Sequence, residues 1–279
     1  MVPSTPAIYQ DIDWAALRQN AMARKAWKSK GPEQWDAKAK SFNSRNRKND
    51  YVDLFLSHLP KDDSCSVLDI GCGPGTLAIP IARRARRVTA VDFSPEMLKI
   101  LERHAEEEGL DNITTVCAAW EDDWRDYGID THDIAIASRS MGVYDLHSAL
   151  KKIDAISARY VFLTDRAGAT PFDEGAFEAI GRPFEPGPDY IYTVNVLYTM
   201  GIYANVSILE IDKHATFNNL EDAFASYAWM FQDLSPEEQG ALRDYVKSRV
   251  VRRGSDHVTV KRKTPIRWAL VWWEKPKNR

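Results

Sequence analysis

Cysteine is scarce in this chain. Only Cys65, Cys72 and Cys117 occur in 279 residues. They form neither a disulfide framework nor a metal-spacing pair, which argues against a cross-linked secreted scaffold and a cysteine metal centre; no metal is expected. Long apolar runs are also lacking, and none approaches the roughly 18 residues of a membrane span. The first residues, Met1-Val2-Pro3-Ser4-Thr5-Pro6, show no basic stretch followed by an apolar one, as a secretory signal would. The expectation is a reduced, cytoplasmic setting without membrane contact. A surplus of positive charge is missing as well. There are 37 Lys and Arg against 40 Asp and Glu, a formal charge of −3, which argues against bulk attraction to nucleic acid. No internal repeat or low-complexity tract is present.

What is there fits a globular enzyme. Apolar residues make up 44% and charged residues 28%, both ordinary, and the length allows one domain with an elaboration. The most informative segment is Val67-Leu68-Asp69-Ile70-Gly71-Cys72-Gly73-Pro74-Gly75-Thr76. A short apolar run ends near an acid, glycines stand at alternate positions, and a helix-like stretch begins at Leu77. This is a strand, a tight loop and a helix start, which lets the backbone approach a nucleotide-like ligand. The glycines read G-x-G-x-G, unlike the G-x-G-x-x-G of a dinucleotide site. About 66 residues precede the loop, whereas a dinucleotide domain tends to carry it near its start. Asp92 closes a second apolar run, Val88-Thr89-Ala90-Val91, and an acid there can accept hydrogen bonds from both ribose hydroxyls.

Together these residues resemble the S-adenosylmethionine (SAM) site of the class I methyltransferases, in particular those acting on small molecules. Asp69, Gly71, Gly73, Gly75 and Asp92 match the family pattern with nothing missing. Phe93-Ser94-Pro95-Glu96-Met97-Leu98 resembles the family's start of the next helix, with Ser94 as N-cap and Pro95 at the first helical position. The resemblance implies that Phe93 and Met97 pack on the adenine, that Cys72 meets the cofactor through its backbone, and that the stretch Ala119-Trp120-Glu121 meets the far side of the adenine. There a backbone amide, of Ala119 or Trp120, would reach a ring nitrogen. Trp120 is open between adenine stacking and a core or rim position. Ser138, ending the run Asp133 to Ser138, would stand beside the methyl sulfonium. The cofactor implied is SAM, with S-adenosylhomocysteine (SAH) as product.

Upstream, Trp35-Asp36-x-x-Ala39-x-x-Phe42 resembles the lid segment of small-molecule methyltransferases. Trp27 and Trp35 lie among many Lys and Arg, and Arg45 or Arg47 is a candidate for the methionyl carboxylate. Each aromatic is equally readable as one face of an amphipathic helix. The periodicity predicts strands at 65–70, 87–92, 113–117, 133–138, 159–164, 206–211 and 266–274. Helices are expected near 51–59, 76–84, 95–109, 145–156, 190–201, 219–232 and 235–251. The resemblance then implies an α/β fold: a Rossmann-like, doubly wound, seven-stranded sheet of order 3-2-1-4-5-7-6. Residues 1–58 form an N-terminal helical lid segment and 59–166 the SAM-binding core. Residues 167–279 supply a Gly/Pro-rich lid loop, antiparallel strands six and seven, and a helical insertion at about 219–252.

Candidates for acceptor chemistry follow the fourth and fifth strands: Ser138, Arg139, Ser140, Tyr144, Asp145, His147, Asp165 and Arg166. Tyr144 and His147 are the proposed catalytic pair, His147 as a base if it faces the cleft and otherwise a polar residue on a solvated helix start. Trp35, Arg139 and Tyr190 are read as substrate or lid residues. The Asp/Asn-Pro-Pro-aromatic motif of amino-group methyltransferases is absent, replaced by Ser138-Arg139-Ser140-Met141, and so are the paired cysteines of a cytosine-C5 enzyme. The expected partner is a small-molecule methyl acceptor, with the chain a monomer or homodimer. The basic stretch 243–267 leaves a phosphorylated or acidic substrate, or RNA, open beside a plain solvated face. A non-catalytic SAM-binding protein is the remaining alternative.

Overall fold

The computed structural model describes residues 8–24, 31, 33–36, 50–211 and 214–276. Trp27, Ala39, Phe42, Arg45 and Arg47 of the sequence reading lie outside them. Helix α1 spans Trp14–Arg24, followed by a helical turn at 33–36 and α2 at Asp50–Leu56. The core then alternates: β1 Ser66–Ile70, α3 Ala78–Ala82, β2 Arg87–Asp92, α4 Pro95–Glu108, β3 Ile113–Cys117, β4 His132–Ser138, α5 Leu146–Ile156 and β5 Ser157–Arg166. After it come α6 Glu174–Ala179, α7 Tyr190–Thr199, β6 Asn205–Ile211, β7 His214–Phe217, α8 Leu220–Ala228, α9 Pro236–Ser248, β8 Val250–Arg253, β9 Val258–Lys261 and β10 Ile266–Glu274.

The main sheet has seven strands in the order β3-β2-β1-β4-β5-β10-β6. Because β10 is the seventh strand of this sheet, the order is the expected 3-2-1-4-5-7-6. Strands β1 to β5 pair in parallel, and β10 runs antiparallel between β5 and β6. Strand β1 is buried along its whole length, as a central parallel strand covered on both faces must be. Alternate residues serve opposite layers. Val67 joins Tyr51, Phe55, Leu101 and Phe162 on one side, while Leu68 and Ile70 join Leu150, Ile153, Leu163 and Trp273 on the other.

Local chemistry fixes the element ends. Ser94 Oγ accepts from Met97 N, Pro95 opens α4, and Gly109 closes it at φ 66° in the left-handed region. A reciprocal Ser235/Glu238 capping box starts α9.

The C-terminal elaboration differs from the expected helical insertion at 219–252. It runs from β6 to β10 and carries a three-stranded antiparallel sheet, β7-β9-β8, beside α8 and α9. Its own core comprises Phe217, Tyr227, Leu242, Val246, Val258 and Val260, joined by Ala176 and Ile180 from the Gly/Pro-rich segment. Each of its strands is four residues long, too short for a period-two pattern to stand out. Val250 and Val251 prolong the apolar stripe of α9, which is why the sequence reads as a helix to 251. The insertion leaves and rejoins the main sheet at one directly paired couple, Ile211 and Ile266.

Candidate active site

A cleft of about 540 Å³ opens at the carboxyl ends of the central strands, where open α/β sheets bind ligands. The glycines of the loop after β1 have different jobs. Gly71 has φ 70°, and a Cβ there would lie 2.3 Å from the Ser140 Cβ, so it lets two loops touch. Ser140 Oγ donates to Ile70 O at 2.7 Å across that contact. Gly73 lines the cleft, and a Cβ there would meet no atom within 4 Å, leaving backbone open to a ligand. Gly75 is outside the lining; a Cβ on it would press on Ile79 and Leu101, so it serves helix packing.

Asp92 ends β2 in the cleft. Its Oδ2 accepts from Gly73 N at 2.8 Å and its Oδ1 from Ser94 N at 2.9 Å. Each oxygen keeps a further lone pair for a ligand hydroxyl. Burial pushes this carboxyl up, against the pull of those two amides. Asp69, fully buried one strand away, is pushed up to about 7, first by burial and then by the Asp92 charge. Its Oδ2 has no hydrogen-bond partner among the described residues. A buried acceptor in that state fits a cationic ligand group.

Apolar walls complete this end. Phe93, Met97 and Trp120 line it; Trp120 packs on Trp124 at 5.3 Å and donates from Nε1 to Ser140 O at 3.2 Å. Glu121 and Cys72 also line the cleft. Ala119 does not: its amide donates to Asp122 Oδ2 at 2.8 Å. Trp35 lines the cleft from the N-terminal side, packing on Met97 and Ile100 and meeting the Trp229 ring at 6.1 Å. Asp36 accepts a hydrogen bond from Ser94 Oγ, fastening this turn to the start of α4.

At the other end stand Ser138, Arg139, Thr164, Asp165 and Arg166. Arg139 adopts φ 58° and lays its guanidinium 4.4 Å from the Tyr51 ring centroid. Tyr51, which the sequence reading passed over except as one end of a helix, shares hydrogen bonds with Ser138 Oγ at 2.5 Å and Thr164 Oγ1 at 2.9 Å. It ties α2 to the ends of β4 and β5. Arg18, also missed, reaches the cleft from α1 and donates to Val143 O at 2.6 Å and Met141 O at 2.8 Å. A signal existed: Trp14, Arg18 and Met22 sit at helical spacing, a charge on an apolar stripe. The segment Trp229 to Gln232 and Phe172 line the cleft from outside the main sheet, and Trp268 lines it from β10 within that sheet.

Tyr144, His147 and Tyr190 are not brought to the cleft. Tyr144 is 69% exposed beyond β4. His147 is exposed in the first turn of α5. Tyr190, the first residue of α7, is half-buried against the core. Most of the basic stretch 243–267 is engaged internally. Arg243 pairs with Glu221, Lys263 with Glu178 and Arg267 with Glu210, while Arg249 donates to Lys261 O and Arg262 to Pro171 O.

A family model described as a methyltransferase domain matches residues 67–158. An uncharacterized protein of Haemophilus influenzae is 34% identical over 266 residues, covering 94% of this chain and 97% of its own length. A ubiquinone biosynthesis O-methyltransferase of Methylocella silvestris shares 44% identity over 59 residues, only 19% of this chain and 23% of that protein. Among solved structures, a Bacillus halodurans protein superposes with TM-score 0.55 at 16% identity, covering 81% of this chain and 98% of that one. The YcgJ protein of Bacillus subtilis gives 0.51 at 14%, covering 80% and 97%. These two likenesses concern the fold. The chain belongs to the class I SAM-dependent methyltransferases, and its cofactor is SAM. Within that family its full-length kinship with the Haemophilus influenzae protein spans the insertion as well as the core.

Proposed function

We propose that this chain transfers the methyl group of SAM to a small-molecule acceptor held between the sheet and the segment 229–232. The observation that carries this reading is the continuity of the cleft, which runs from Asp92 and Phe93 past Ser138 to Asp165 and Trp229 beneath a lid. Bound SAM supplies an activated methyl on a sulfonium. Asp92 would accept the ribose hydroxyls, while Phe93, Met97 and Trp120 would flank the adenine. Asp69 would face the cationic end of the amino acid, with Arg139 nearby. Cys72 and Gly73 would lie along the cofactor through their backbone, Glu121 at its rim. Arg139 and Trp35 border the acceptor space. The protein's main task is then alignment and exclusion of water, which suits a site closed by Trp35, Trp229 and Phe231.

A catalytic role for Tyr144 or His147 requires the segment 141–147 to turn inward. An RNA acceptor is disfavoured by the internal pairing of the basic stretch. The first test is calorimetric titration with SAH on the wild type and Asp92→Ala, followed by transfer of label from methyl-tritiated SAM into a deproteinised, RNase-treated metabolite extract. Binding lost in the variant, together with labelled small products, supports the reading. Binding without labelled small products favours a sensor or a macromolecular acceptor, and no SAH binding overturns the site assignment.

A further inference from the structure

Four phenylalanines form one cluster beside the cleft. Phe177 stands at its centre, with ring centroids 4.5 Å from Phe231, 4.8 Å from Phe184 and 6.1 Å from Phe172, in tilted or edge-on contact. Phe172 and Phe184 close the set at 6.3 Å. The members come from the loop after β5, from α6 and its flank, and from the turn between α8 and α9. Two of them, Phe172 and Phe231, line the cleft; Phe177 and Phe184 do not, and they back the other two.

The turn that carries Phe231 is fastened just past that ring. Arg182 donates to Gln232 O at 2.9 Å and to Asp233 O at 3.1 Å while pairing with Glu238 at 2.6 Å. Asp233 holds φ 50°, a left-handed backbone that costs a non-glycine residue energy and that these bonds sustain. From the sheet side, Trp268 lines the cleft with its ring edge-on to Tyr51 at 6.4 Å. Met141 and Met230 line the cleft as well, and thioether sulfurs pack favourably against aromatic rings.

The polar side chains at this end are already engaged. Ser138 and Thr164 share the Tyr51 hydroxyl, and Arg18 donates to the Met141 and Val143 carbonyls. Asp165 accepts from Thr193 Oγ1 and from Arg166 N. Arg166 donates to the Pro186 and Pro188 carbonyls, with the carboxylates of Asp165 and Asp189 both acting on its charge.

We infer that the methyl acceptor is an aromatic compound, recognised through its ring system by Phe172, Phe231 and Trp268. This deepens the proposed function and rests on it. Aromatic walls favour a planar π system over a saturated one of the same size, because stacked and edge-on ring contacts add to the burial of apolar area. Rings already held by their neighbours also lose little freedom when a ligand enters.

The test uses the full chain saturated with SAH and two probes of similar size and polarity, 2-naphthol and decahydro-2-naphthol, titrated by calorimetry and followed by ligand-observed NMR. The naphthol should bind at least about tenfold more tightly than its saturated analogue. Phe231→Leu and Phe172→Leu each keep apolar bulk but remove a ring, and each should cut that preference by about threefold or more. Tyr203→Leu, at an exposed ring outside the cleft lining, should leave it unchanged. If one Leu variant of the cleft fails to bind SAH, the other decides together with the wild-type ratio; if both fail, the wild-type ratio alone decides. Equal affinity for the two probes, no binding of the naphthol, a preference untouched in the SAH-binding cleft variants, or an equal loss in Tyr203→Leu overturns the inference and leaves the SAM site standing. Absence of SAH binding in the wild type would instead sink the methyltransferase site itself, and with it the reading on which the inference rests.

Discussion

At the scale of single residues, Asp69 and Asp92 stand at the proposed cofactor end, and they should respond differently to change. Asp92→Ala removes an acceptor that also holds the Gly73 and Ser94 amides. SAH affinity should fall by about 100-fold or more, since two ligand hydroxyls and the loop that presents them lose their partner; titration of the folded variant checks this. Asp69 carries a carboxyl pushed from 3.8 to about 7. The folded chain keeps this proton after the unfolded chain has released it. The group's contribution to stability is therefore lost as pH rises from about 4 to about 7, and the slope should flatten in Asp69→Asn. SAM, with two cationic groups and one carboxylate, favours the ionised acid. Its affinity should rise by about tenfold between pH 6 and 8 in the wild type and stay level in Asp69→Asn, as titration across pH will show. For Tyr144 and His147, the double variant Tyr144→Phe/His147→Gln should leave turnover within about twofold. Loss of a true general base would cost about 10²-fold or more.

At the scale of elements, the loop between β1 and α3 is a contact between two loops as much as a ligand cradle. Gly71→Ala should destabilise the protein by about 1–3 kcal/mol, through its positive φ and the overlap with Ser140, and thermal unfolding will read this out. How much of the structure the sequence disclosed follows from such details. Strand β2, strand β3 and strand β10 are legible to the residue because their apolar runs end in an acid, a turn or a charge. The grouping at the proposed cofactor end is legible because its parts lie within one stretch, Asp69 to Glu121, and most of those parts line one cleft. The acceptor end is not, because Arg18, Tyr51, Phe172 and Trp229 come from four separate segments and meet only once the sheet has formed. Ala119 was misplaced for a similar reason: Asp122, three residues on, captures its amide, a local competition that a motif match does not weigh.

At the scale of the whole molecule, charge separates the two readings of the basic stretch. With Arg243, Lys263 and Arg267 paired to acids, tRNA binding should be weak at physiological salt, without the steep log-log salt slope of a protein neutralising many phosphates; filter binding over a salt series checks this. Among the described residues, no helix is long and apolar enough to cross a membrane.

The insertion between β6 and β10 begins and ends at Ile211 and Ile266, which already face each other in the sheet. A tight two-residue turn would join them without moving either strand. Recombination at that one point could therefore exchange the roof over the proposed acceptor space for another while leaving every strand of the proposed cofactor end in place. Chemistry and choice of target are separable units of inheritance in such a chain, and relatives that share its catalytic sheet need not share its substrate.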